Sequence, residues 1–199
     1  MVLKPENIMR SPWLYDTKPF HIVDNLYYVG NRKVSSHLID TGEGLLLLDT
    51  GFPHNEYLLS EAIRDMGFDP HDIRWILHTH AHYDHFGSTR AFVEKYGCKT
   101  YMPEADLSFM TTQSQLNYCA VAGLYYEPPY DTFFEIDVAV KPGDVLTFGN
   151  TNYYYAMLAE EAQKNTKKRK YHRRGTRHRR YRTQKQAEKR KHREAQKRQ

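Results

Sequence analysis

Apolar residues come in short runs separated by stretches with helical spacing. Phe20 to Val29 and His37 to Asp40 predict short strands, and Leu45 to Asp49 predicts a buried strand ending at Thr50-Gly51. Between Asn55 and Met66, the residues Leu58, Leu59, Ala62, Ile63 and Met66 recur on one helical face, and Gly67 is a natural stop. Ile73 to Leu77 predicts a second buried strand. Thr89 to Tyr96 reads as a helix closed by Gly97, followed by a strand over Lys99 to Met102. Pro103 opens a short helix through Met110. A long Tyr- and Pro-containing loop is expected over 112–132, and Val145 to Phe148 suggests one more strand. Strands alternating with helices are the α/β pattern.

That pattern stops after Leu158. From Ala159 to Gln199 there is no Leu, Ile, Val, Met, Phe or Trp, and Tyr171 and Tyr181 are the only large aromatic bodies. Charge divides at nearly the same place. Residues 1–155 carry 11 Lys+Arg against 20 Asp+Glu, a net of −9, whereas 156–199 carry 18 against 4, a net of +14. The overall charge of +5 therefore conceals an acidic domain joined to a very basic segment. The expected organisation is an extension over 1–19, an α/β domain over 20–155 and a disordered basic tail over 156–199. Without apolar residues the tail cannot offset an ordering cost of about 1–2 kcal/mol per residue. The absent Phe, Leu, Ile, Met and Val all have codons with T at the second base. An out-of-frame reading of A/G-rich coding sequence produces such a stretch, and so does selection for a basic tail.

Several function classes drop out. No apolar run approaches the roughly 20 residues of a membrane-spanning helix, and the start Met1-Val2-Leu3-Lys4-Pro5 lacks the apolar core of a secretory signal. Two cysteines, Cys98 and Cys119, make no disulfide framework or metal knuckle, and neither has a basic setting that argues for a reactive thiolate. A cytoplasmic protein acting on a small molecule is expected, with no membrane partner. Clusters such as Lys167-Lys168-Arg169-Lys170 would hold nucleic acid non-specifically through phosphate contacts.

The chemistry concentrates in Thr79-His80-Ala81-His82-Tyr83-Asp84-His85-Phe86-Gly87, an H-x-H-x-D-H motif. With 11 His in the chain, those four positions match by chance about 0.002 times, so a fortuitous His-rich loop is the weaker explanation. His80 and His82, two apart in extended chain, point the same way and can share one metal. Asp84 and His85 follow where the chain turns into a helix and can face a second. Imidazole nitrogen and carboxylate oxygen suit zinc, with iron and manganese accepting similar sets. Two such ions about 3.5–4 Å apart can hold a bridging hydroxide and polarise a substrate oxygen.

On these residues the sequence resembles the metallo-β-lactamase superfamily over about 18–150. The resemblance includes the hairpin from Phe20-His21-Ile22-Val23 to Tyr27-Tyr28-Val29-Gly30, the strand end Leu47-Leu48-Asp49-Thr50-Gly51 and the motif itself. It is most similar to the third subclass of metallo-β-lactamases, and glyoxalase II, lactonases and ribonuclease Z share the same loop. The resemblance implies a four-layer αββα sandwich with two zinc ions at one edge. His80 and His82 would bind the first ion and Asp84 and His85 the second. Asp49 matches a position that supports the site, its alternative being a plain strand-end turn residue. The implied reaction is attack of a metal-bound hydroxide on a lactam, ester or thioester carbonyl, with Asp84 orienting nucleophile and leaving group.

The downstream sequence departs from this pattern. The family uses a third histidine in a G-H-T context, a bridging aspartate and a last histidine. Here no aspartate follows Asp144, and His172, His178 and His192 have no such context. The sandwich is therefore expected to be incomplete, and the alternative product is a non-catalytic chain whose tail binds nucleic acid. His78, just before the motif, is expected to pack at a strand end, and the loop with Tyr125, Tyr126, Pro128 and Pro129 either covers the metal edge or packs as surface.

Overall fold

The computed structural model describes residues 11–122 and 133–153. Seven strands lie side by side in sequence order: β1 (Phe20–Val23), β2 (Leu26–Tyr28), β3 (His37–Asp40), β4 (Leu45–Leu48), β5 (Ile73–Leu77), β6 (Lys99–Pro103) and β7 (Val138–Val140). The first four meander antiparallel, and β4 through β7 run parallel. Parallel neighbours need crossovers, which carry α1 (Glu56–Asp65), α2 (Tyr83–Phe86) with α3 (Thr89–Tyr96), and α4 (Thr112–Ala122). A small antiparallel pair, β8 (Leu146–Phe148) and β9 (Thr151–Tyr153), follows. The chain is mixed α/β, as the alternation of elements predicts.

All four leucines of β4 are buried, as befits a strand covered on both faces. Leu45 and Leu47 join Leu38, Ile73 and Ile76 beneath Leu59, Ala62 and Ile63 of α1 and Phe92 of α3. Ile73 and Ile76 share this face despite their odd spacing because a bulge sets Leu45 opposite Ile73 but Leu46 opposite Trp75. Leu46 and Leu48 point the other way. There Trp75 and Tyr101 meet Phe148 of β8, with ring centroids 5.6 and 5.0 Å apart. Cys98 is buried under α3, and burial pushes its thiol up to about 12, consistent with an inert packing residue.

Three local expectations are revised. The expected loop over 112–132 begins as helix α4, because the Thr111 hydroxyl accepts the Ser114 amide at 3.2 Å and caps a Gly- and Pro-free run. The helix expected from Pro103 to Met110 is a 3₁₀ segment, Glu104–Phe109. Strands β7 and β9 are three residues each, too short for a period to register. Among the described residues, no helix is long and apolar enough to cross a membrane. The Tyr- and Pro-rich residues 123–132 and the basic segment from 154 onward lie outside the described residues, so the expectations placed on them do as well.

Candidate metal centre

Parallel β4 and β5 end level with one another, Leu48 beside Leu77, so the residues after each strand emerge together. Carboxyl ends of parallel strands are where open α/β sheets place their chemistry. Asp49 continues the ladder by donating its amide to the Leu77 carbonyl at 3.1 Å, then turns with a φ of 56°, a left-handed conformation that Asp tolerates better than most residues. The turn sends its carboxylate under the motif loop, where it is only 3% exposed.

Three hydrogen bonds meet that carboxylate. Oδ1 accepts the Thr79 amide at 2.9 Å, and Oδ2 accepts the Thr79 hydroxyl at 2.6 Å and His85 Nδ1 at 2.8 Å. Burial works against the charge of Asp49, but the nearby His78 and the hydrogen-bonded His85 outweigh that and hold the carboxyl well below the usual range. A carboxylate only accepts, so His85 must carry a proton on Nδ1, which makes Nε2 the lone-pair nitrogen of the neutral ring. The Thr79 hydroxyl has given its one hydrogen to Asp49. It therefore accepts from His80 Nδ1 at 3.0 Å, and His80 too presents Nε2 as a lone pair.

The three motif imidazoles cluster. The His80 ring lies 4.6 Å from that of His82 and 4.0 Å from that of His85, centroid to centroid. Burial, with the neighbouring His85 and His82, lowers the pKa of His80 to about 4, and burial also lowers that of His82. Both are neutral at pH 7. Burial lowers the affinity of His85 for a proton, but Asp49 and Asp84 more than restore it, and the net shift is upward. Asp84, on the single turn of α2, has its pKa raised by burial. Its Oδ2 is 3.9 Å from His85 Nε2, while Oδ1 is buried with no hydrogen-bond partner.

Among the described residues, no three His, Cys, Asp or Glu side chains converge as a metal-binding group. The donors present suit zinc in kind: clustered imidazoles, two of them with Nδ1 backed by a hydrogen bond, and a buried carboxylate oxygen that lacks a partner. The sequence expectation divides them into two pairs, His80 with His82 and Asp84 with His85, and two donors are short of the three or four protein ligands a zinc ion usually has.

Several supporting residues carry no motif signal. Fully buried His78 packs at the strand end as expected, its Nε2 3.1 Å from the Thr89 hydroxyl and its Nδ1 3.6 Å from Asp49 Oδ1. Thr89 in turn meets the Thr50 hydroxyl at 2.9 Å. Gly87 lies where backbone meets backbone: its amide donates to the Gly51 carbonyl at 2.9 Å, and a Cβ there would collide with Pro53. Gln115 of α4 bonds the motif backbone. Only the recurrence of small hydroxyl residues beside the motif could have hinted at Thr79 and Thr89. Nothing in the sequence marks Gln115.

Comparison with known proteins gives a coherent set. The family model for the metallo-beta-lactamase superfamily matches residues 29–157. A subclass B3 metallo-beta-lactamase of Bradyrhizobium japonicum is 33% identical with a TM-score of 0.58, over 72% of this chain and 52% of that one. A class B3 di-zinc metallo-beta-lactamase from an Alaskan soil metagenome is 28% identical with a TM-score of 0.60, over 71% of this chain and 52% of that one. An N-acyl homoserine lactonase of a Bacillus species is 26% identical over 62% of this chain and 57% of its own length. The chain thus spans about half the length of the proteins it matches.

Proposed function

The chain belongs to the metallo-β-lactamase superfamily, and we propose that it carries the first half of a zinc-dependent hydrolytic site for a lactam, ester or thioester carbonyl. A lactone, the cyclic ester in the name of the Bacillus relative, falls within that class. His80 and His82 would hold one zinc ion, Asp84 and His85 the other. When bound, zinc supplies Lewis acidity and lowers the pKa of water to about 7. The protein's own part is orientation. Asp49 fixes the protonated nitrogen of His85 directly and that of His80 through Thr79, so both rings present Nε2 without rearrangement. Asp84, made more basic by burial, offers Oδ1 as the group that orients a nucleophile or holds its proton.

The observation that carries this reading is the Asp49 network, which backs the Nδ1 side of two motif imidazoles and leaves Nε2 of each as the nitrogen turned outward. With two donors per position, hydrolysis would need the further donors that the family supplies downstream, where this sequence has no aspartate after Asp144 and no histidine in a G-H-T context. The test is a chimera in which residues 151–199 give way to the corresponding segment of a B3 relative. Hydrolysis of nitrocefin, an N-acyl homoserine lactone or a thioester, abolished by His82→Ala, is the expected result. A folded, zinc-loaded chimera inert toward all three would refute the reading.

A second reading rests on charge. The 18 Lys+Arg of residues 156–199, set against an acidic domain over 20–155, favour non-specific binding of nucleic acid through phosphates.

A further inference from the structure

Gln115 is completely buried although it lies on α4, outside the motif. A buried amide is tolerated where its donors and acceptor are met, and here they are. Nε2 donates to the Ala81 carbonyl at 2.9 Å and to the Phe109 carbonyl at 2.7 Å, and Oε1 accepts the Tyr83 amide at 2.9 Å. These partners fix the orientation of the amide, because the reverse would set an oxygen against two carbonyls and an NH₂ against an N–H.

Ala81 and Tyr83 are the chain neighbours of His82, so Gln115 grips the backbone on both sides of one imidazole. The grip matters because α2 is a single turn. The His82 carbonyl accepts His85 N at 2.8 Å and Phe86 N at 3.2 Å, but the first amide of a helix, here that of Tyr83, finds no acceptor within it. One turn has little cooperativity to hold itself. Gln115 caps it from a neighbouring helix. Its third bond ties down the segment of Phe109, a residue 44% exposed whose ring lies 6.5 Å from the His82 ring, centroid to centroid.

We propose that Gln115 is a positioning residue that holds His82 in register with His80 and sets the Phe109 ring as an apolar wall beside it. The purpose assigned to His82 rests on the hydrolase reading above, whereas the clamp itself can be measured without metal. Substrates with an apolar group next to the scissile carbonyl would meet that wall.

The experiment uses the full chain, first stripped of metal, with three variants. Gln115→Met keeps the length and removes all three bonds. Gln115→Glu keeps the acceptor for the Tyr83 amide and loses both donations. Phe92→Leu, on the far helical face, lowers stability without touching the site. Amide exchange at Tyr83 and the His82 ring resonances are read by NMR, and zinc affinity by competition with a chelating dye. Gln115→Met should speed Tyr83 exchange about tenfold beyond its effect on core amides such as Ile76. It should also shift the His82 ring signals and weaken zinc binding about tenfold. Gln115→Glu should keep Tyr83 protected yet shift His82 and weaken zinc. Phe92→Leu should do none of these at matched stability. If both Gln115 variants leave the His82 ring signals as Phe92→Leu does, the proposal falls. Should Gln115→Met not fold, the His82 signals of Gln115→Glu decide alone. A parent chain that takes up no zinc would remove the hydrolase reading, and Tyr83 exchange and the His82 ring would still decide the clamp.

Discussion

Asp49 and His85 meet at 2.8 Å, carboxylate oxygen to Nδ1, across 36 residues of sequence. The contact joins the end of one buried strand to the motif that follows the next, and through Thr79 the same carboxylate reaches His80. One acid at the edge of the sheet therefore sets the free nitrogens of two candidate ligands. Removing it should damage both the fold and the site. Asp49→Asn should lower stability by about 2–4 kcal/mol, since it leaves partners of a buried, hydrogen-bonded charge unmet. Zinc affinity should fall about 10–100-fold. Urea unfolding and chelator competition measure the two effects separately.

The shifted groups predict how stability depends on pH in metal-free protein. The depressed pKa of Asp49 means that its contribution is full above the unfolded value, about 3.9, and is lost as pH falls through the lower folded value. His80, with a folded pKa of about 4, works in the same direction. Below about pH 6.5 the unfolded state takes up a proton that the folded site refuses, so stability declines from there to pH 4. His85 is opposite: its raised pKa contributes below the unfolded value and is lost as pH climbs through the folded one. Urea midpoints between pH 3 and 8 in EDTA should show the acid-side decline, and His80→Gln should flatten it between 6.5 and 4. An unchanged profile would mean that His80 is protonated freely in the fold.

Gly87→Ala should destabilise by about 1–3 kcal/mol, because the added methyl would press on the Pro53 ring and backbone and on the Tyr83 carbonyl. These are backbone atoms and a proline, which cannot rotate away. A thermal melt within a degree of the parent would show that the Pro53 segment yields.

The basic segment predicts salt-sensitive, sequence-independent binding of RNA or DNA. Deleting 156–199 should abolish it, and raising salt from 50 to 200 mM should weaken binding of the full chain by orders of magnitude. Retained affinity in the deletion would assign the binding to the acidic domain.

Much of the framework was legible in the sequence because its signals are local. Four consecutive leucines mark β4, the spacing of Leu59, Ala62 and Ile63 marks α1, and Gly97 closes α3 in a left-handed turn with a φ of 70°. The motif is local too, so His80, His82, Asp84 and His85 stand out by spacing. What could not be read depends on contacts across the chain. Thr79 gains its role from Asp49, 30 residues away, and Gln115 from backbone groups 32 and 34 residues away. Helix α4 was missed because its start depends on a Thr111 hydroxyl cap ahead of the Tyr- and Pro-rich stretch, which dominates the composition of that region.

The central claim is that His80, His82, Asp84 and His85 supply two donors to each of two zinc positions. Zinc titration of the full chain against a chelating dye, with metal content measured after dialysis, tests it most directly. The account predicts weak uptake, less than one zinc per chain surviving dialysis, with His82→Ala removing what remains and lactam or thioester hydrolysis no faster than buffer. Two tightly held zinc ions per chain, with turnover abolished by His82→Ala, would contradict it, since the missing ligands would then come from elsewhere in the chain or its oligomer.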